Sequence, residues 1–168
     1  NQKEALTMSD RVVVMNDGEF AQVGPPEAVY SDPASPFVAD FVGTANLFSG
    51  TVSAVDDGVA TVDCGSTTIR STDTAGLSPG ADVTAVFRPE HLRIDTGATA
   101  TDGAGGSETV FDGTVSVRRY VGNEIEYHVD IDSDETVIAA QRVEQTDARA
   151  GDSVSLQIPA TNCLLLDQ

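Results

Sequence analysis

One short pattern occurs twice in this chain. Phe48-Ser49-Gly50-Thr51-Val52-Ser53 returns as Phe111-Asp112-Gly113-Thr114-Val115-Ser116. A second pattern follows each copy. Gly80-Ala81-Asp82-Val83-Thr84 leads into Phe87-Arg88-Pro89, and Gly151-Asp152-Ser153-Val154-Ser155 leads into Ile158-Pro159. Each half therefore opens with a Phe-x-Gly strand and closes with a Gly-x-x-Val strand that stops at proline, a residue that cannot donate to a ladder. Two copies predict a pair of small β-barrels and not a solenoid, which stacks three or more repeats. The halves meet at Asp95–Glu108, a Gly-, Thr-, Ala- and Asp-rich stretch without apolar period, read as a flexible loop.

Each half offers five strands by apolar alternation and turn signals. The first half gives Ser49–Asp56, Val59–Asp63, Thr67–Ser71, Asp82–Arg88 and His91–Asp95. The second gives Phe111–Tyr120, Glu124–Ile131, Glu135–Gln141, Ser153–Ile158 and Cys163–Asp167. In Glu124–Ile131 the residues Ile125, Tyr127, Val129 and Ile131 share one face. Five short strands suit an OB-type barrel, which hides its sheet edges. Val52, Val83, Phe87, Val115, Val129 and Val154 are the expected core.

The first 46 residues read differently. Glu4–Asp10 reads as the end of a helix. Val12–Met15 is a continuous apolar run, which suits a strand covered on both faces. Asn16-Asp17-Gly18 is a hairpin turn returning into Glu19–Val23. Pro25–Tyr30 is a short helix opened by proline. Pro33 breaks it, and Ser35-Pro36-Phe37 opens a second, with Phe37, Val38, Phe41 and Val42 on one face and Gly43 as C-cap.

Composition narrows the function. Among 168 residues, 27 are acidic and 9 basic, a net charge of −18, with Lys3 as the single lysine. Three readings compete: attraction of a cationic ligand, an acidic disordered tail, and adaptation to high salt. The acids are scattered rather than blocked, and Val, Ile and Leu are plentiful, which disfavours a disordered tail. High salt would screen the self-repulsion, because the Debye length falls to about 3 Å near 1 M, and this reading is preferred. A basic footprint for nucleic acid is missing. No apolar run approaches the roughly 18 residues of a membrane span. Cys64 and Cys163 stand in strand-like contexts with no second ligand at metal spacing, and read as buried free thiols; the sequence leaves a disulfide between them open.

Asn1 to Gly18 resembles the tail of the ATP-hydrolysing domain of ABC transporters, just after its switch histidine. Gly24, Pro26, Val29, Tyr30, Pro33, Phe37, Val38, Ala39, Phe41, Val42, Gly43 and Asn46 continue that resemblance in order. Val86-Phe87-Arg88-Pro89-Glu90-His91 resembles the Arg-Pro-Glu stretch of the transport-associated OB (TOBE) domain, and Tyr120-Val121-Gly122 its Tyr-x-Gly. The resemblance implies the C-terminal part of an importer ATP-binding subunit of the polyamine, iron(III) or sugar class, closest to the spermidine/putrescine type. The expected fold is mainly β: tandem OB-like modules preceded by a small α/β remnant of the ATPase domain. The expected boundaries are 1–46 for that tail and 47–168 for the TOBE-like domain, in halves of about 47–95 and 109–168.

The family also implies a cytoplasmic protein that dimerises and works through two membrane permease subunits, with ATP and Mg bound by the full-length parent. Asn1 and Gln2 would be the remnant of the switch-histidine loop. No phosphate loop, Walker motif, signature sequence or catalytic Glu is present, so this chain alone is expected to hold no nucleotide, cofactor or metal. No catalytic residue is assigned.

The residues singled out for contact or regulation are Arg88, Glu90, Arg118, Arg119, Tyr120 and Gly122. Arg88 and Glu90 flank a rigid proline corner, where they could pair locally, form a subunit contact or touch a ligand. Arg118 and Arg119 form the most basic dipeptide, but strand neighbours point to opposite faces. His91 and His128 are isolated, without partners at triad or metal spacing. The runner-up reading is a stand-alone module binding an oxyanion or polyamine. An unpaired edge at Val12–Met15 predicts self-association, with residues 1–46 loosely packed or covering part of another subunit.

Overall fold

The computed structural model describes residues 2–97, 107–131 and 134–168. Asn1, the Gln2 side chain and the middle of the expected loop, 98–106, lie outside the described residues. The chain begins with α1 (Gln2–Met8), the hairpin β1 (Val12–Asn16) and β2 (Glu19–Gly24), and two short helices, α2 (Pro26–Ser31) and α3 (Pro36–Phe41). Asp17 and Gly18 turn the hairpin with φ of 49° and 86°, the left-handed geometry of a two-residue reversal. Pro36 sits in the first turn of α3, and Ser35 Oγ accepts a hydrogen bond from the Val38 N–H at 3.3 Å, a serine cap.

These elements enclose a small core of Val14, Val29, Val38 and Val42, with Leu6 and Tyr30 packed against it. Val14 is buried, while Val13 pairs with Val23 and Met15 with Phe20 on an exposed apolar face. The strand expected to be covered on both faces is thus covered on one. An unbroken apolar run does not report which faces find partners.

The remainder is β. Sheet I contains β3 (Asn46–Asp56), β4 (Val59–Asp63), β5 (Thr68–Ser71), β6 (Asp82–Phe87) and β12 (Cys163–Asp167). Sheet II contains β7 (Arg93–Thr96), β8 (Glu108–Val121), β9 (Glu124–Ile131), β10 (Glu135–Arg142) and β11 (Ser153–Pro159). The orders are β12-β6-β3-β4-β5 and β10-β9-β8-β11-β7, antiparallel throughout. Each half therefore places its last strand in the sheet of the other. After β6 a 3-10 turn at Pro89–His91 sends β7 to pair with β11; after β11 the matching turn at Ala160–Asn162 sends β12 to pair with β6.

Side chains tie the sheet edges. Ser71 Oγ donates to the Cys163 carbonyl at 2.5 Å, and Asp73 accepts the Leu165 N–H at 3.0 Å, joining β5 to β12. Gln141 donates to the Leu92 carbonyl and joins β10 to the start of β7.

The repeat is visible in the details. The register slips after Val52 and again after Val115. Val52 bonds the Ala81 carbonyl at 2.9 Å, and Val115 bonds that of Asp152 at 2.9 Å. A Cβ on Gly50 would lie 2.5 Å from the Asp63 carbonyl oxygen, and one on Gly113 would lie 2.4 Å from that of Asp130. Both repeats thus require glycine where neighbouring backbone closes in. Phe48 and Phe111, the first residues of the two copies, stack with Phe87 at centroid distances of 5.8 Å.

One continuous core spans both sheets, and all six expected core residues are buried in it. Two crossing contacts repeat as well. The Asn46 amide exchanges two 2.8 Å hydrogen bonds with the backbone of Ile138, and Thr109 Oγ1 accepts the Arg70 N–H at 2.8 Å.

Candidate functional site

Arg88 closes β6 in extended backbone just before the Pro89 turn. Its side chain leaves the barrel and enters the helical module. Nη1 donates to the carbonyls of Ala39, Gly43 and Thr44 at 2.9, 3.1 and 3.2 Å, and Nη2 to that of Tyr30 at 2.9 Å. Tyr30 lies in the last turn of α2, and Ala39 in the last turn of α3. A helix leaves its final carbonyls without intrahelical partners and carries partial negative charge there. One guanidinium thus caps two helices.

The guanidinium carbon also lies 4.1 Å from the centroid of the Tyr30 ring, a cation–π contact. Arg88 is 5% exposed, and among the described residues it is the single buried charged side chain. Burial lowers its pKa, opposed by Tyr30, Glu90 and Asp40; starting above 12, an arginine keeps its charge.

No ion pair joins Arg88 to Glu90. The Tyr30 hydroxyl donates to Glu90 at 2.6 Å instead. Burial, the bond to Glu90 and the Glu90 charge push the Tyr30 phenol up to about 12, against the pull of Arg88. Gly43 lets the α3 end close over this ring, since a Cβ there would stand 3.0 Å from Tyr30 Cε2. The helical module is thus bolted through α2 and α3 to the β domain of the same chain by Arg88, Tyr30 and Glu90, where the sequence reading expected loose packing or cover of another subunit.

Two openings flank the joint. One, of about 440 Å³, lies beside Leu6, Gly43 and Pro89 and has Glu90, Glu124 and Glu126 in its wall. The other, of about 290 Å³, lies between the α2 end, the β6 end and the turn before β12.

The remaining singled-out residues sit on the long β8–β9 hairpin. Arg118 and Arg119 do project apart. Arg118 stacks over Tyr120 at 4.9 Å, its Nε shielded from solvent without a hydrogen-bond partner. Arg119 bonds Glu126 at 2.5 and 2.9 Å, and His128 Nε2 reaches the same carboxylate at 2.7 Å. Burial pushes the Glu126 carboxyl up, but the bonds from His128 and Arg119 more than offset this and hold it below the ordinary range. Tyr120 is 62% exposed at the tip, beside Gly122, whose φ of 67° makes the turn. Val117, Val121 and Val143 are also exposed.

The structure therefore gathers Arg88 and Glu90 around Tyr30, and leaves Arg118, Arg119, Tyr120 and Gly122 as a separate hairpin. Tyr30 was missed as a site residue; its place in the proline-and-aromatic pattern was the available signal. Cys64 and Cys163 are both free, and burial pushes their thiols up to about 11 and about 12. Among the described residues no cluster suits a metal, and no helix is long and apolar enough to cross a membrane.

This geometry defines a paired-barrel domain fastened to a small helical module. The TOBE domain family matches residues 85–166. A spermidine/putrescine import ATP-binding protein, PotA, from Mesorhizobium japonicum is 39% identical over 84% of this chain and 36% of its own length. PotA from Rubrobacter xylanophilus is 34% identical over 99% of this chain and 43% of its own. The Fe(3+) ions import ATP-binding protein FbpC 1 of Rhizobium meliloti is 38% identical over 77% and 33%. Among solved structures, the cytoplasmic molybdate-binding protein ModG with molybdate bound superposes with a TM-score of 0.63. It is 20% identical, over 73% of this chain and 96% of its own, a likeness of fold.

The chain belongs with the import ATP-binding proteins of the ABC class and corresponds to their C-terminal, TOBE-bearing region. It spans less than half the length of these relatives.

Proposed function

We propose that this chain is the C-terminal regulatory and dimerisation region of an ABC importer's ATP-binding subunit, of the polyamine type. In that reading a complete subunit binds ATP and Mg, works at the inner face of the cell membrane through two permease subunits, and imports a small polyamine. The observation that carries it is the Arg88 joint. An arginine of the TOBE stretch caps both helices of a segment that resembles an ATPase tail, so movement of one is handed to the other. The exposed apolar face of Val13, Met15, Phe20 and Val23 supports the same reading, since it suits cover by further ATPase domain. Charge supports the absence of nucleic acid among the partners.

The test is a chimaera in which this chain replaces the matching region of a spermidine/putrescine import ATP-binding protein. Putrescine uptake in a strain lacking that protein should be restored. Arg88→Ala in the chimaera should reduce uptake more than ATP binding. Restored ATPase activity without any polyamine uptake would refute the polyamine assignment, and uptake indifferent to Arg88→Ala would refute the coupling role.

A further inference from the structure

We infer that the cavity beside the Arg88 joint is a binding site for a small organic anion, with an oxyanion head and a short apolar body. Three separate stretches contribute to its wall: Tyr30, Ser31 and Pro33 at the end of α2, Val86, Phe87, Arg88 and His91 around the end of β6, and residues around the turn into β12. Its volume is about 290 Å³, room for a ligand of several heavy atoms.

Its chemistry departs from the rest of the molecule. The chain has 27 acidic and 9 basic residues, yet no carboxylate lines this cavity, while an arginine and one of the two histidines do. Arg88 is buried and fully charged. Carbonyls and helix ends stabilise that charge without neutralising it, and among the described residues no carboxylate comes within ion-pair distance. Glu90, the nearest carboxylate in sequence, is held by Tyr30 and lines the opposite opening.

Nη1 and one N–H of Nη2 are engaged by carbonyls; Nε and the second Nη2 N–H bond no described atom. An arginine offers five donors and no acceptor. The side chains of His91 and Thr161, which are exposed, and of the half-buried Asn162 bring further donors to the same cavity, and none of them bonds another described residue. Phe87, Val86, Leu164 and Pro33 give the apolar part of the wall. Donors gathered beside a buried cation that no carboxylate offsets call for an acceptor-rich, negatively charged head, either carboxylate or phosphate. The apolar part calls for a body that a bare inorganic ion lacks. The site does not rest on the transport reading, and either can fail alone.

The test is an amide-resolved NMR titration of the whole chain at low chloride with benzoate, phenyl phosphate, inorganic phosphate and the neutral benzyl alcohol. Benzoate or phenyl phosphate should shift the His91, Thr161 and Asn162 amides saturably and more tightly than inorganic phosphate. The His91→Ala/Asn162→Ala double variant leaves the Arg88 joint intact, so its melting temperature should hold while affinity falls by about tenfold or more. Benzyl alcohol binding as well as benzoate, inorganic phosphate binding as well as phenyl phosphate, shifts unchanged in the variant, or no saturable shift with any probe would each overturn the proposal.

Discussion

Arg88 matters because its carbonyl partners have no ready substitute. Truncation to alanine leaves the ends of α2 and α3 without their donor, in a place that water reaches poorly, and removes the ring contact to Tyr30. Hydrogen bonds to a charged group are worth about 1.5–3 kcal/mol, and unsatisfied buried carbonyls add to the loss. Arg88→Ala should therefore destabilise the chain by about 3 kcal/mol in chemical denaturation. Arg88→Lys should recover little of it, since a point charge cannot span four carbonyls as the guanidinium fork does. Hydrogen exchange should rise in α2 and α3 while the β8–β9 hairpin stays protected. A loss below about 0.5 kcal/mol would mean that solvent already serves those carbonyls. The sequence placed Arg88 at a rigid corner but could not say what the corner faces. A local partner such as Glu90 is visible at a spacing of two residues; carbonyls between 44 and 58 residues away are not.

At the scale of elements, strands were readable and sheet membership was not. Val59–Asp63, Glu124–Ile131 and Cys163–Asp167 have the ends expected from alternation and turn residues. The other strands differ at their ends, where side-chain period gives way to turn geometry. Alternation shows that a segment is half-buried, but a strand's partner depends on where the preceding turn aims it. Two three-residue 3-10 turns do this here, and they carry β7 and β12 across to the opposite sheets. The repeat in the sequence therefore revealed the symmetry while hiding the exchange. Removal of residues 163–168 discriminates between the two descriptions. It strips β6 of its partner and takes Cys163 and Leu165 out of the common core. Exchange protection should then fail first in β6 and β5, far back in the sequence, with β9 and β10 the last to yield. Loss confined to β8 and β11 would show that the exchanged strand contributes little to sheet I.

Across the whole molecule the charge is the dominant opposing force, because a net −18 on 168 residues acts against any compact state. Among the described residues no Asp or Glu is buried, so this repulsion is carried at the surface, where salt can reach it. Screening shortens the Debye length from about 10 Å at 0.1 M to about 3 Å at 1 M, less than the spacing of most surface charges. If adaptation to high salt explains the composition, thermal stability should climb steadily between these concentrations in sodium or potassium chloride alike. The same screening should favour association, since two copies repel one another at low salt while the exposed Tyr120, Val117, Val121, Val143, Phe20 and Met15 remain apolar. Light scattering across the series should show a monomer giving way to a closed two-fold dimer as salt rises. Melting that is flat or falls with salt would assign the acids to a cation instead. A monomer at every salt and concentration would remove dimerisation from the functional reading and leave it resting on the Arg88 joint and on the exposed face of β1 and β2.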